Sequence, residues 1–429
     1  MKTFYLPPRD KWEKLCLRPV LPKDEIENTV RDIIQKVKSE GDKALVYLNK
    51  IFGGTGTDTI RIDNAEISRS SEAIPERLKT AILLAKSNIE KFHSSQIISE
   101  GIVETMNGVR CWRKSVPIEK VGLYIPGGTA PLFSTLLMLA VPAKIAGCEK
   151  IIVCTPPDES GTVNPLILYT ASICGVSDVF AVGGAQAIAA MAFGTETIPR
   201  VYKIFGPGNQ YVTKAKEMVQ TEGVAIDMPA GPSELLVIAD ETADPDFVAA
   251  DLLSQAEHGS DSQVVLLTTS NKMLEMVRNA VDRQIQSLER KEKAQKSLEN
   301  SLLIQFETTG DCIEFSNLYA PEHLIISTAD ALVIAKKVTS AGSVFIGRYS
   351  CESIGDYASG TNHTLPTNGY ARSFSGVSTD SFMKKITFQE VSAEGLAGIG
   401  PAVETMAEAE LLTGHRNAVT IRLNSLKND

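Results

Sequence analysis

The 429-residue sequence has no C-x-x-C pair, no block of lysine and arginine, no uninterrupted apolar stretch of membrane length and only five histidines. Each shortage excludes something. Seven scattered cysteines (Cys16, Cys111, Cys148, Cys154, Cys174, Cys312, Cys351) are an odd number without motif spacing, so neither a disulfide framework nor a cysteine zinc site is expected. A reduced cytoplasm is the simplest home. Acidic residues outnumber basic ones, 52 to 43, for a formal net charge of −9. That balance argues against nucleic acid or an anionic membrane as partner. The longest apolar-looking run, Leu132 to Ala146, is interrupted by Ser134, Thr135, Pro142 and Lys144, and is too short and polar to span a bilayer. The opening MKTFYLPPRDKWEKL has no apolar core of signal-peptide length. Neither an internal repeat of solenoid period nor a low-complexity tract is present.

A hydrophobic fraction of 43% and a charged fraction of 22% belong to an ordinary globular chain, here long enough for several domains. The first 100 residues read mostly as helix: Ile26, Val30, Ile33 and Ile34 recur at helical spacing after Asp24, and residues 75–92 repeat the pattern. From about Val116 the texture changes. Strand-like runs at 121–125, 150–154, 179–182, 201–205 and 224–227 alternate with helical stretches. A second series follows at 235–239 and 263–268, then a long charged helix from Lys272 to about Leu298, then strands at 302–305, 324–327 and 343–346. Such alternation predicts an α/β fold with parallel sheets flanked by helices, in two Rossmann-like lobes. The expected division is an N-terminal arm (1–22), a discontinuous lobe (23–120 with 234–376), a second lobe (121–233) and a C-terminal segment (377–429).

Four strings carry candidate chemistry. The strand-like 201–205 run enters Gly206-Pro-Gly208-Asn-Gln-Tyr211, which opens a helical pattern. Glycines between a strand and a helix let main-chain N–H groups approach a phosphate. Asp227 follows at the end of the next strand, where a ribose-binding acid is often found. Tyr211, however, occupies the place of the third glycine, so a tight structural turn fits as well as a cofactor loop. In Asp244-Pro245 to His258-Gly259, Asp244 suits a helix N-cap, Pro245 the first turn and Gly259 the position past the end. Asp251, Gln255 and His258 then share one face; His258 could ligate a metal or simply complement the helix dipole. Finally, Pro321-Glu322-His323 joins a carboxylate to an imidazole just before a strand, as acid–base work requires. The Gly355–His363 loop adds Asp356 and another imidazole. Zinc takes such nitrogen and oxygen donors without cysteine.

Together the strings Val121-Gly-Leu-Tyr-Ile-Pro-Gly-Gly-Thr-Ala-Pro-Leu-Phe-Ser-Thr, Phe205-Gly-Pro-Gly-Asn, Met228-Pro-Ala-Gly-Pro-Ser-Glu, Ser254-Gln-Ala-Glu-His-Gly, Ala320-Pro-Glu-His-Leu and Gly355-Asp-Tyr-Ala-Ser-Gly-Thr-Asn-His resemble the histidinol dehydrogenase family, in order and spacing, from about residue 22 to 425. The resemblance implies a cytoplasmic homodimer, joined through its terminal segments, that oxidises L-histidinol through L-histidinaldehyde to L-histidine with two NAD+. It implies one Zn2+ per subunit on Gln255, His258, Asp356 and His415, the last from the other subunit. It makes Glu322 and His323 the catalytic pair: His323 takes the hydroxyl proton and Glu322 helps activate water. Those residues, Ser233, His363 and Glu410 would touch the substrate, and Tyr124, Gln186 and Asn209 the nicotinamide cofactor. On one continuous helix, Glu410 and His415, five apart, would point about 140° apart, so their joint presence rests on the resemblance. Zinc here is similar to a clamp on the substrate's amine and imidazole, not a Lewis acid at the reacting oxygen. A covalent thiol step through Cys351, five positions before Asp356, is not expected, and His93 is read as structural. The competing readings are a single-step zinc alcohol dehydrogenase, a zinc hydrolase that needs no NAD, and a silent relative that only binds.

Overall fold

The structure, a computed structural model, describes residues 1–18, 24–53, 58–127, 131–229 and 231–427. The expected edge between arm and body at residue 22, and Thr129 of the Tyr124 loop, lie outside the described residues. The chain forms two units, Met1–Gln96 with Ile118–Phe382, and Ile97–Pro117 with Met383–Asp429.

The larger unit is α/β and contains two parallel sheets flanked by helices. The first has six strands in the order Lys2–Tyr5, Leu302–Gln305, Gln263–Thr268, Glu234–Ala239, His323–Ser327, Ser343–Ile346. Every residue of Glu234–Ala239 and Gln263–Thr268 is buried, as expected of parallel strands covered on both faces. Alternate side chains serve opposite layers. Leu235, Val237 and Leu266 pack under helices Pro245–Ala256 and Asn271–Gln284, while Leu236, Ile238 and Leu267 meet Trp12, Phe315 and Tyr319. The edge strand Lys2–Tyr5 lies in a region read as mostly helix. Its four residues have no period of their own and gain strand form by pairing with Leu302–Gln305.

The single helix expected from Lys272 to Leu298 is instead two, Asn271–Gln284 and Lys291–Glu299, joined by a 3-10 turn at Ile285–Ser287. Buried Ile285 anchors the bend, which brings Ala294 and Leu298 back onto the same core as Val277 and Val281. A straight helix of that length would carry them past the sheet edge.

The second sheet has five parallel strands in the order Asp178–Ala181, Lys150–Thr155, Lys120–Tyr124, Lys203–Phe205, Ala225–Ile226. Helices Asp24–Glu40 and Asp42–Gly53 pack on this lobe: Val30, Ile34, Leu45 and Leu48 share a core with Ile188, Val201 and Val212. The sequence reading grouped these helices with residues 234–376. Their amphipathic stripes show which face is buried but not which sheet receives it.

The smaller unit is an antiparallel sheet, Met383–Val391 against Val109–Pro117 against Val103–Met106, with two helices, Ala393–Ala409 and Thr413–Ser425. It therefore draws Ile97–Pro117 as well as the chain end, starting at Met383 where the sequence placed the C-terminal segment from 377.

Candidate active site

At the amino ends of neighbouring central strands, the six-stranded sheet gathers acids and an imidazole. After the helix Thr309–Tyr319, Ala320 adopts a left-handed φ of 53°, which turns the chain back toward the sheet. His323 then opens the strand His323–Ser327, with Glu322 just ahead of it. Both are buried. Glu322 Oε2 accepts the Glu234 main-chain N–H at 2.8 Å and lies 3.6 Å from His323 Nδ1. The same ring nitrogen lies 3.3 Å from the Glu234 carbonyl oxygen. On the far side of the ring, Nε2 is 3.3 Å from Asp356 Oδ1. Neither of these two buried atoms completes a hydrogen bond, because proximity without alignment does not make one.

Charge explains the local acidities. Burial opposes a proton on His323, but the Glu352 and Glu322 carboxylates and the contact with Asp356 outweigh it and hold the imidazole well above its usual range. Burial raises Glu322, with His323 pulling the other way. It also pushes Glu352 well up, reinforced by the charges of Asp356, Glu322 and Asp251. Burial acts upward on Asp356 too, but His323, His363 and His258 hold it below the usual carboxylate range.

The helix Pro245–Ala256 delivers Gln255 to this cluster. Asp244 caps it, its carboxylate accepting the Asp246 N–H at 3.0 Å, with Pro245 in the first turn. The helix ends at Ala256, earlier than Gly259 predicts. His258 lies in the turn beyond, where its N–H donates to the Gln255 carbonyl at 3.2 Å, the tightening common at helix ends. Facing it, the helix Glu352–Tyr357 presents Glu352 and Asp356 one turn apart. His258, Glu352 and Asp356 offer ligand atoms that all lie within 4.8 Å of one another. Gln255 satisfies its amide in one orientation: Nε2 donates to the Glu352 carboxylate (3.0 Å to Oε2) and Oε1 accepts the Glu234 N–H at 3.2 Å. Two carboxylates and an imidazole, with Asp356 Oδ1 unpartnered, form a nitrogen–oxygen donor set that suits zinc.

His363 joins the same cluster through its Nδ1, 2.8 Å from the Asp356 carbonyl, while its Nε2 lies 3.0 Å from Thr135 Oγ1. Burial depresses its pKa against the pull of Asp356. Ser233, half-buried, immediately precedes Glu234. His93 stands apart from the acidic group. It is fully buried, with Nδ1 2.9 Å from the Ile89 carbonyl and Nε2 3.4 Å from Asn362 Nδ2.

A second feature lies at the carboxyl ends of the five-stranded sheet, where open α/β sheets bind ligands. A cavity of about 490 Å³ is lined by Tyr124, Gln186 and Asn209 together with Asn49, Phe52 and Tyr211, among others. The Tyr124 hydroxyl accepts the Gly184 N–H at 3.0 Å, tying the cavity floor to the helix Gly184–Phe193. Asn209 caps the helix Gln210–Gln220, its Oδ1 accepting the N–H groups of Tyr211 and Val212. Those donors are thus not free for phosphate. Gly206 is required by close approach: a Cβ there would meet the Tyr124 carbonyl oxygen at 2.1 Å. Asp227, the ribose-binding candidate, is not among the cavity's lining residues. It is buried, ion-paired to Lys216, and accepts the N–H groups of Gly206 (2.8 Å) and Met228 (2.7 Å). Lys216 in turn donates to the Gly206 carbonyl at 2.8 Å. Asp227 is therefore the clamp that shapes the glycine turn.

Glu410 and His415 belong to the smaller unit, both exposed. They do not share a helix: Glu410 caps Ala393–Ala409, Leu411 takes a φ of 59°, and His415 is in the first turn of Thr413–Ser425. Sequence reasoning missed Glu234 and Glu352. Glu352 was findable as an acid four residues before Asp356. Glu234 was findable as a charged residue heading an otherwise apolar strand.

Residues 17–423 match the family model described as histidinol dehydrogenase. The histidinol dehydrogenase of Bacteroides thetaiotaomicron is 58% identical over 427 residues, covering 100% of each chain. That of Escherichia coli is 52% identical over 421 residues, covering 97% of this chain and 96% of the relative. The crystal structure of histidinol dehydrogenase from Elizabethkingia anophelis is 56% identical and superposes with a TM-score of 0.98, covering 100% of this chain and 99% of that one. A match of this extent leaves one conclusion: the chain belongs to the histidinol dehydrogenase family.

Proposed function

We propose that this protein carries out the last steps of histidine biosynthesis: it oxidises L-histidinol to L-histidinaldehyde with one NAD+, then the hydrated aldehyde to L-histidine with a second. Its family makes it an oxidoreductase acting on histidinol. The observation that carries the mechanism is the buried Glu322–His323 pair whose far ring nitrogen, His323 Nε2, lies 3.3 Å from Asp356 Oδ1 without a completed hydrogen bond. A substrate hydroxyl brought to that nitrogen gives up its proton there as the carbinol hydride leaves for NAD+. In the second half, Glu322 and His323 help a water add to the aldehyde. The hydrate then gives a hydroxyl proton to His323 as its hydride leaves for the second NAD+, and the resulting acid ionises to the carboxylate. An imidazole, which can carry a proton on either ring nitrogen, suits such shuttling.

Gln255, His258, Asp356 and His415 of the partner subunit would hold one Zn2+. Bound there, the ion would offset the buried carboxylates and grip the substrate's amine and imidazole nitrogens. Ser233, His363 and Glu410 of the partner subunit would complete the substrate contacts, and the cavity bearing Tyr124, Gln186 and Asn209 would take NAD. The helix Thr413–Ser425 buries none of its residues in the single chain, leaving Ile421 70% exposed, and the preceding Leu411 is 89% exposed. An unsatisfied apolar surface of this kind supports a homodimer with a shared site. All seven cysteines are free, which supports a cytoplasmic location. Among the described residues no helix is long and apolar enough to cross a membrane.

The deciding experiment counts NADH formed per L-histidinol consumed, with and without a chelator. Two NADH, lost on chelation and restored by zinc, is the expected result. One NADH with free aldehyde would reduce the enzyme to a single-step dehydrogenase. No NADH from folded, zinc-loaded protein would refute the oxidation itself.

A further inference from the structure

The main chain of Glu234 sits between Glu322, His323 and Gln255, while its side chain engages Arg18 and the Asn368 N–H instead. Strand pairing toward His323–Ser327 starts at Leu235, which is opposite His323. The Glu234 N–H on that side is therefore left over from the ladder and is used by the active site, while its carbonyl, engaged by the strand pairing, also faces the His323 ring. The N–H donates to Glu322 Oε2 at 2.8 Å and is shared with Gln255 Oε1 at 3.2 Å. The carbonyl oxygen lies 3.3 Å from His323 Nδ1. A proton on Nδ1 directed at that carbonyl leaves Nε2 as the nitrogen facing the substrate side.

The side chain explains how this junction stays still. Its carboxylate is 1% exposed and forms a two-point pair with Arg18, Nε to Oε1 and Nη2 to Oε2, both 2.9 Å. The Asn368 N–H adds a third contact at 2.8 Å. Arg18 is itself fixed: it donates to the carbonyls of Cys16 (2.9 Å) and Tyr319 (2.7 Å) and stacks on the Tyr319 ring at 3.6 Å. A planar guanidinium gripping a carboxylate in this way specifies direction as well as charge.

We propose that Glu234, clamped by Arg18, is the positioning residue of this active site, setting the Glu322 carboxylate and the His323 ring together through its main-chain N–H and C=O. The inference rests on the reading that Glu322 and His323 carry the proton work. Without Arg18, a buried carboxylate has lost its counter-charge and must move toward water or neutralise. Either response shifts the start of the strand Glu234–Ala239, and with it both members of the pair. A displacement on the order of 1 Å at reacting groups costs about a hundredfold in rate.

The test compares Arg18→Ala, Glu234→Gln and the double variant with His323→Ala, all zinc-loaded. Each clamp single should lower kcat about ten- to a hundredfold, with zinc stoichiometry and histidinol KM close to the parent. The double variant should lose no more than the weaker single, because both changes open one clamp. Added guanidinium should restore part of the Arg18→Ala rate and none of the Glu234→Gln rate. Parent-like kcat in both singles alongside an inactive His323→Ala would overturn this proposal alone. So would losses that multiply in the double, or losses accounted for by missing zinc. Parent-like turnover in His323→Ala would instead sink the underlying reading. Should Arg18→Ala fail to fold, Glu234→Gln and its kcat against KM still decide.

Discussion

Replacing Asp227 by alanine tests whether this acid holds the glycine turn or reads a cofactor ribose. The Asp227 and Lys216 side chains are 1% and 4% exposed, so the ion pair is fully internal. Removing one partner of a buried pair costs about 3–5 kcal/mol, because the other charge remains without compensation. The Gly206 and Met228 N–H groups also lose their acceptor, each worth about 1–3 kcal/mol when buried. These penalties overlap through relaxation, so about 3–5 kcal/mol is the expected total. Equilibrium urea unfolding supplies the assay, with midpoints compared at constant slope. Asp227→Asn keeps acceptor capacity and should lose less. Asp227→Leu paired with Lys216→Met should recover most of the stability, since an apolar replacement of a buried pair is often neutral. NAD affinity should weaken only in proportion to distortion of the turn. Destabilisation below about 1 kcal/mol together with a selective loss of NAD binding would refute this reasoning and return Asp227 to the ribose.

Other expectations follow from the same contacts. His323→Ala should abolish most turnover but keep its zinc, whereas His258→Ala should lose metal first; zinc analysis of the two purified variants separates them, and the reverse pattern would mean that the roles are exchanged. Asp251, pushed up to about 7 by burial, has a folded pKa above its unfolded one. Its contribution to stability is therefore complete below about pH 3.9 and lost as pH rises through about 7. In chelator-treated protein, Asp251→Asn should gain melting temperature over the parent at pH 8 more than at pH 5; a pH-independent difference would contradict this. Among the described residues lining the cavity proposed for NAD there is no Asp, Glu, Lys or Arg. The KM for NAD should accordingly vary little between low salt and about 0.5 M salt, and a steep rise would reveal a missed cation. Mixed subunits, one bearing His323→Ala and one His415→Ala, should regain activity after exchange; no recovery after verified exchange would count against a shared site.

Much of the fold was written in local pattern. Both sheets are legible where strands are continuous apolar runs, as in Gln263–Thr268 and Lys150–Thr155, since parallel strands covered on both faces are apolar on both. The Asp244–Pro245 helix start was equally readable, because capping uses adjacent residues. What failed to read depends on partners distant in sequence. Lys2–Tyr5 is a strand because Leu302–Gln305 offers an unpaired edge. The break at Ile285–Ser287 follows from the depth of one core, and the docking of Asp24–Glu40 depends on which lobe supplies a groove.

The active site divides in the same way. Order and identity of residues along the chain determined the family, the Glu322-His323 pair and the short spacing that sets Gln255 near His258 and Glu352 near Asp356, because these are relations within one turn or one loop. Only tertiary structure decided that Asp227 braces a turn, that the Glu234 main chain meets both Glu322 and His323, and that Arg18, 216 residues away, pairs with the Glu234 carboxylate. Those are contacts between segments that meet only after the sheets assemble. Hydrogen bonds and ion pairs reach about 3 Å, and no spacing in the sequence encodes which distant residue will stand at that distance.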